Sequence, residues 1–437
     1  MFILLSQLKD YEFFLKQRDL PAITCYTRII VVKLLEWRIQ MITGDAAYIK
    51  KINRSIILKE IVKEGLISRA DLSKVTALTR ATISAQVADL IDEGLIIETH
   101  LEHYTVGRKP IMLSLNSEAG FALGIDLDYD HISFTVSNLI GSPVSSKRIE
   151  TNTSNYQEIL NLLIEQIRIL KSEYAFSQYG IIGIVIAIHG LVGKDETIHY
   201  VPRLRWNNIS LKTDLEKQID INVHLENNAN LSAFAERVFV NHETDNLLAA
   251  TLYSGIGLGM MMNNEFFRGQ DGFAGEIGHM IVVPNGIQCN CGNKGCWERY
   301  ASENVIFNTL SEKRNIKPIT YDHIQQWLDE GDEEVNQLME QFIYYLSIGL
   351  NNMINMYNPD VLVLDSELLR MYPNSLDKIR GNLNSSISHY RALQISTIGR
   401  NSAVLGACAL AIKHFLAVPM LNLKYLNETK KNASVNI

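Results

Sequence analysis

The sequence has no apolar run approaching the roughly 18 residues that a membrane helix needs, so no segment of it reads as a span. It also lacks a secretory opening. Met1–Leu5 is apolar, but Lys9, Asp10 and Glu12 follow at once, well short of a signal core of about 7–15 residues. The expectation is a cytoplasmic chain. A net positive charge is missing too: 41 Lys/Arg against 48 Asp/Glu leave −7, which excludes a surface that binds nucleic acid everywhere. The charge is uneven, however. Ala46–Leu115 carries ten Lys/Arg and eight Asp/Glu, or +2, so the remainder carries −9. That pattern permits a local nucleic-acid contact. Cysteine is scarce: Cys25, Cys289, Cys291, Cys296 and Cys408, three of them within eight residues. In a cytosolic chain such clustering points to metal rather than disulfides. The composition, 47% hydrophobic and 20% charged over 437 residues, excludes disorder, collagen and coiled coil and suggests two to four domains.

Residues 1–40 show no sustained period. Met41 reads as a natural start, with 1–45 an N-terminal extension; a genuine helix at Ile29–Gln40 is the alternative. From Ile52 helical spacing is strong. Ile52, Ile56, Ile57, Ile61 and Val62 form one apolar face that ends at Gly65. Ser68 is an N-cap for a helix over Arg69–Val75, and Thr79 caps the next, which runs to Glu93 and stops at Gly94. Ile83, Val87, Leu90 and Ile91 form its inner face. Strands are predicted over Leu95–Glu98 and Ile111–Leu115. Three helices and a hairpin give the winged helix-turn-helix layout over 46–116, with a short turn at Ala77-Leu78. The third helix would face a DNA major groove with Arg80, Thr82, Ser84, Ala85 and Gln86 outward. Arg108 and Lys109, bracketed by Gly107 and Pro110 in the wing, suit a narrow minor groove. The bland alternative is a three-helix module with merely polar surface.

From Phe121 strands and helices alternate. Phe121–Asp126, His131–Ser137 and Val144–Ile149 read as strands, Tyr156–Lys171 as an amphipathic helix and Ile181–Ile188 as a buried parallel strand. A second block begins near Asn246. Leu247–Tyr253, Gly257–Asn263 and Glu265–Phe267 read as strands, Glu333–Tyr357 as a long helix and Val361–Leu364 as a buried strand. This order of elements, without an internal sequence repeat, predicts an α/β actin/hexokinase-like (ribonuclease H-like) two-lobed domain, with lobe 1 over 117–245 and lobe 2, carrying the metal cysteines, over 246–437.

The strongest chemical signal is Gly275-Glu276-Ile277-Gly278-His279 followed by Cys289, Cys291, Cys296, Trp297 and Glu298. One histidine and three cysteines at spacings of 10, 2 and 5 can close a tetrahedral zinc shell. Four protein ligands leave no open position, so such a zinc is structural. Free thiols or a disulfide are the alternatives.

In this order these residues resemble the ROK family (repressors, open reading frames and sugar kinases) over about 41–420. The winged helix marks the family's repressor branch. Tyr48-Ile49-Lys50-Lys51-Ile52-Asn53-Arg54 and Cys296-Trp297-Glu298 look like bacterial xylose repressors. The resemblance implies sugar contacts from Asn227, Glu276, His279 and Glu298, with His279 serving zinc through one ring nitrogen and sugar through the other. Glu298 is alternatively a solvated helix residue.

Two motifs depart from the family's kinases. Their first strand ends in Asp-Xaa-Gly-Gly-Thr, which cradles phosphate; here Gly124-Ile125-Asp126-Leu127-Asp128-Tyr129-Asp130 stands instead. Their Glu-Asn-Asp-Ala-Asn supplies a general base; here Glu226-Asn227-Asn228-Ala229-Asn230 puts an amide at that place, which cannot accept the proton but can still bond a sugar hydroxyl. No catalytic residue is therefore expected. Gly255-Ile256-Gly257-Leu258-Gly259 reads equally as a phosphate loop or as tight turns. Where the family has Pro-Asn-Xaa-Xaa-Trp, this chain has Pro202-Arg203-Leu204-Arg205-Trp206. A guanidinium replaces the sugar-touching amide there, and Trp206 is either an apolar wall or core. The expected protein is a sugar-responsive repressor, xylose being the first candidate effector, that binds operator DNA as a homodimer. The alternatives are an active sugar kinase with an accessory DNA-binding domain, or a constitutive DNA binder with a decayed effector site.

Overall fold

A computed structural model describes residues 46–100 and 111–424. The described residues open with α1 (Ala46–Glu64), β1 (Ile67–Ser68), α2 (Arg69–Thr76), α3 (Arg80–Asp92), β2 (Ile96–His100) and β3 (Ile111–Leu115). Ser68 caps α2 by accepting from the Asp71 N–H, and Thr79 caps α3 by accepting from the Thr82 N–H. Ala77 ends α2 in the left-handed region at φ 56°, and the Ser73 hydroxyl braces the turn by donating to the Leu78 carbonyl at 2.7 Å. The three strands pair antiparallel in the order β1-β3-β2. Ile57, Leu58 and Ile61 of α1 are buried. That face leaves Ile52, five residues before Ile57, 41% exposed rather than inward.

Two five-stranded sheets follow with the same topology. The first is built from β4 (Phe121–Leu127), β5 (His131–Asn138), β6 (Pro143–Glu150), β7 (Ile181–Ile188) and, after a gap, β11 (Val223–Asn227), in the order β11-β7-β4-β5-β6. Three strands form an antiparallel meander, and β7 and β11 add in parallel. Parallel neighbours on both sides explain the unbroken apolar run of β7. Helix α4 (Tyr156–Glu173) precedes β7. Between β7 and β11 lie α5 (Leu211–Glu216) and a small sheet, β8 (Leu191–Val192), β9 (Ile198–Val201) and β10 (Trp206–Ile209), too short for periodicity to reveal. After β11 comes α6 (Asn228–Phe239). The second sheet repeats the plan with β12 (Leu247–Thr251), β13 (Gly257–Met262), β14 (Glu265–Phe266), β15 (Val361–Asp365) and β16 (Ala392–Ile395), ordered β14-β13-β12-β15-β16. Its helices are α7 (Glu298–Ala301), α8 (Glu303–Arg314), α9 (Tyr321–Asp329), α10 (Glu333–Tyr357), α11 (Glu367–Met371) and α12 (Ser375–Asn382). The last is α13 (Ser402–Leu416).

The two sheets exchange helices. Helix α6, which follows the first sheet in sequence, packs on β12 and β13, and α13, from the chain's end, packs on β4 and β7. The pair forms one central layer, α6 against α13, whose core includes Leu231, Phe234, Ala407 and Leu410. The approach is too close for side chains. A Cβ on Gly406 would lie 2.0 Å from the Leu231 carbonyl oxygen, and one on Gly124 would lie 2.4 Å from that of Val404. Among the described residues, no helix is long and apolar enough to cross a membrane.

Candidate metal centre, sugar site and DNA-facing helix

The four ligands named from spacing come together. Ligand atoms of His279, Cys289, Cys291 and Cys296 all lie within 4.8 Å of one another. The Cys289 Sγ to His279 Nδ1 and Cys291 Sγ to Cys296 Sγ separations are both 3.6 Å. A tetrahedron around zinc with bonds near 2.3 Å has edges of about 3.8 Å, whereas a disulfide needs about 2.05 Å. Burial pushes the Cys289 thiol up to about 12 and raises Cys296 as well. The Asn293 backbone N–H lowers Cys291 instead, so a cation is what would hold Cys289 and Cys296 as thiolates. The loop is shaped for the purpose. Gly295 has φ 85°, and a Cβ there would lie 1.7 Å from the Val283 carbonyl oxygen. Next to the last ligand, Trp297 is fully buried, and its indole N–H donates to the Tyr345 carbonyl of α10 at 2.8 Å.

The sugar residues named from resemblance gather around the start of β13. Gly257 faces Ala229, next to Asn228; Gly275 and Gly278 face the carbonyls of Leu258 and Ile256; Gly255 faces the Glu298 carboxylate. Within the Gly255–Gly259 run, Gly259 serves close backbone packing, since a Cβ there would lie 2.0 Å from the Ala229 carbonyl oxygen, whereas Gly255 and Gly257 face side chains. His279 points Nδ1 at Cys289 and Nε2 toward Glu276, whose oxygen is 3.9 Å away. Glu298 is not a free surface group: it accepts from the Cys289 thiol at 3.2 Å. Asn227 is largely committed. Its Oδ1 caps α6 by accepting from the Ala229 and Asn230 N–H groups, and its Nδ2 donates to the Gly190 carbonyl. Asn228, half-buried on the first turn of α6, has no side-chain hydrogen bond among the described residues. Trp206 is core, 4% exposed, with its N–H on the Ser154 carbonyl and its ring edge-on to Tyr156.

Three features were not legible in the sequence: the setting of His189, the partner of Arg203, whose substitution the sequence itself flagged, and the clasp of Arg268 on Glu226. His189 directly follows β7, at the carboxyl end of a parallel strand where open α/β sheets place ligands. It is 2.8 Å from Asp126 and 4.0 Å from Asp128. Burial works against its charge, but the two aspartates outweigh it and push His189 up to about 9. The carboxyl ends of β4 and β7 are thus joined by an internal imidazolium–carboxylate pair. Arg203, exposed, stacks its guanidinium 4.0 Å above the Tyr129 ring. Third, Arg268 grips the buried Glu226 at 2.8 and 2.5 Å, while the other Glu226 oxygen accepts from the Asn227 N–H and the Asn230 amide. One carboxylate thereby joins the Asn227-Asn228 strand end to the segment that leads to Glu276. A cavity of about 770 Å³ adjoins the pair, lined in part by Glu196, His224, Glu226, Arg268 and His414 and by none of the five sugar residues.

On α3, Arg80, Ser84 and Ala85 are exposed, and Thr82 is half-exposed with its hydroxyl on Thr79. Gln86 is not outward: it is 7% exposed, because it lies three residues after Ile83 and four before Leu90 on the inner stripe. Arg108 and Lys109 lie outside the described residues.

The ROK family model matches residues 122–414 and a winged helix-turn-helix DNA-binding model matches 52–97. The xylose repressor of Bacillus spizizenii is 35% identical over 383 residues, spanning 86% of this chain and 98% of that one. A solved ROK family transcriptional regulator, described as a homolog of the E. coli MLC protein, is similar with TM-score 0.73 and 25% identity over 84% of this chain and 96% of its own. A ROK glucokinase from Streptomyces griseus in complex with glucose and AMPPNP shares the fold, with TM-score 0.58 and 24% identity over 67% of this chain and 99% of its own.

Proposed function

The chain belongs to the ROK family, and from that premise we propose that it is a sugar-responsive DNA-binding repressor of carbohydrate, first of all xylose, utilisation, acting in the cytoplasm. The observation that carries this is the pairing, in one chain, of a winged helix-turn-helix at 52–97 with a ROK body at 122–414. The similarity to xylose repressors over nearly their whole length supports the xylose assignment. The winged helix (46–116) binds operator; Asn227, Asn228, Glu276, His279 and Glu298, on the two lobes (117–245 and 246–437), bind sugar. Arg80, Thr82 and Ser84 read the operator, with Arg108 and Lys109 from the wing. A recognition helix covers a half-site, so the repressor is a homodimer on a two-fold operator. His279, Cys289, Cys291 and Cys296 hold a structural zinc, which fixes the histidine ring that faces the sugar.

Catalysis is absent on this reading, because Asn228 cannot take a proton and Asp126 is engaged by His189. The test pairs a thermal-shift panel of pentoses, hexoses and phosphorylated sugars with operator binding by fluorescence anisotropy. Expected are a melting shift with xylose and weaker operator binding in its presence. ATP consumption with any sugar, or operator affinity indifferent to every sugar, overturns it.

A further inference from the structure

We propose that Tyr179 is the positioning residue through which sugar binding reaches the DNA-reading helix; this rests on the repressor reading above. The physical chain starts at the sugar asparagines. Asn228 opens α6, and one turn later the Leu231 backbone lies against Gly406 of α13. Backbone contact transmits a shift of one helix to the other without the slack of side chains. Near its far end α13 carries Phe415, whose ring meets Tyr179 edge-on with centroids 5.1 Å apart. Tyr179 sits just before β7, its N–H donating to the Ala119 carbonyl. Its hydroxyl donates at 2.8 Å to the carbonyl of Glu93, the residue that caps α3. Carbonyls at a helix end lack intrahelical partners, so this bond takes hold of α3 where it can be steered.

Neighbouring contacts keep the joint from slipping. The Asn116 amide donates to the Gly94 carbonyl at 2.9 Å, and Gly94 faces Gln178 so closely that a Cβ would lie 3.0 Å from the amide oxygen. Leu90 and Leu95 of the winged helix share one continuous core with Ala119 and α13, and Tyr179 and Phe415 pack against it. A sugar that changes how α6 and α13 lie against the first sheet therefore moves Phe415, Tyr179 and the end of α3 together. Only an interaction that differs between two states can shift DNA affinity, and this proposal places that difference at the hydroxyl on Glu93.

The test is Tyr179→Phe in the full chain, which removes the hydroxyl and keeps the ring. Operator affinity is measured with and without xylose, or the sugar giving the largest melting shift. Operator affinity without sugar and sugar affinity should each stay within about twofold of wild type. The ratio of operator Kd with sugar to that without should fall by about fivefold, the equivalent of one hydrogen bond near 1 kcal/mol. Phe415→Leu, which spares the hydroxyl but removes the ring contact, should lower the same ratio, and both variants should melt as one cooperative unit. An unchanged ratio in Tyr179→Phe overturns the proposal alone. If wild type shows no response to any sugar, the repressor reading and this inference fall together.

Discussion

Asn228 presents an amide where the resembling kinases carry a general base, and the obvious substitution is also the most informative. A base contributes roughly 10²–10⁴-fold to a rate, but phosphoryl transfer depends mainly on positioning and charge stabilisation. Asp126 is tied to His189 and flanked by Asp128, so phosphate meets the wrong sign. Asn228→Asp should show no sugar-dependent ATP turnover above background in a coupled assay. A second residue makes a prediction about pH. Glu236 is buried in α6, and one of its oxygens has no hydrogen-bond partner. Burial pushes it up to about 7; the Ser396 hydroxyl on its other oxygen opposes this, and the charge of nearby Asp365 adds to it. The folded state then binds the proton more tightly than the unfolded state, whose value is near 4.5. The stabilisation is complete below pH 4.5 and is lost as pH rises through 7. Glu236→Gln should melt with little difference from wild type at pH 5 and at increasingly higher temperature than wild type toward pH 8.

Among the elements, α10 does more than fill a layer. Gly349 lies against the Trp297 ring, where a Cβ would come within 2.0 Å of Cε2. Trp297 in turn follows Cys296 directly. Gly349→Ala should therefore push the indole out of place, lower the melting temperature and loosen the metal loop, seen as faster zinc loss to a chelator. On the zinc reading Cys289→Ser should lose the metal outright, because binding free energy at a structural metal site is also folding free energy; metal analysis of freshly purified protein checks both. Elements of this kind were legible where the local code is strong. The caps at Ser68 and Thr79, β7 and the 25-residue α10 lie where periodicity and capping place them. Gln86 was not, because polarity was read as exposure when its position on the 3.6-residue stripe decides burial. His189 was missed because a lone histidine has no spacing signal; only its place after a parallel strand gives it meaning. The clustering of His279, Cys289, Cys291 and Cys296 was readable because their spacing is local, whereas Arg268–Glu226 spans 42 positions.

At the scale of the whole molecule, the acidic body and the near-neutral winged helix set how DNA is approached. With −9 outside Ala46–Leu115, contacts to phosphate are confined to the small domain. Lys109→Ala should weaken binding to all sequences alike and reduce the slope of log affinity against log salt by about 1, whereas Arg80→Ala should also change base preference. A mobility-shift series over salt distinguishes them.

The helix exchange between the sheets has a further bearing, on how the protein is made. When β4 and β7 have left the ribosome, the helix that covers their inner face is still more than two hundred residues from being synthesised. Ala122, Val185 and Ala187 are buried together with α13, so the first sheet must wait with that face uncovered while the second half is translated. Domains that complete one by one during synthesis avoid such a wait. This chain instead holds a nearly finished lobe open until its final helix arrives. Truncation before Ser402 should consequently cost solubility of the first half, far away in sequence, as much as of the second.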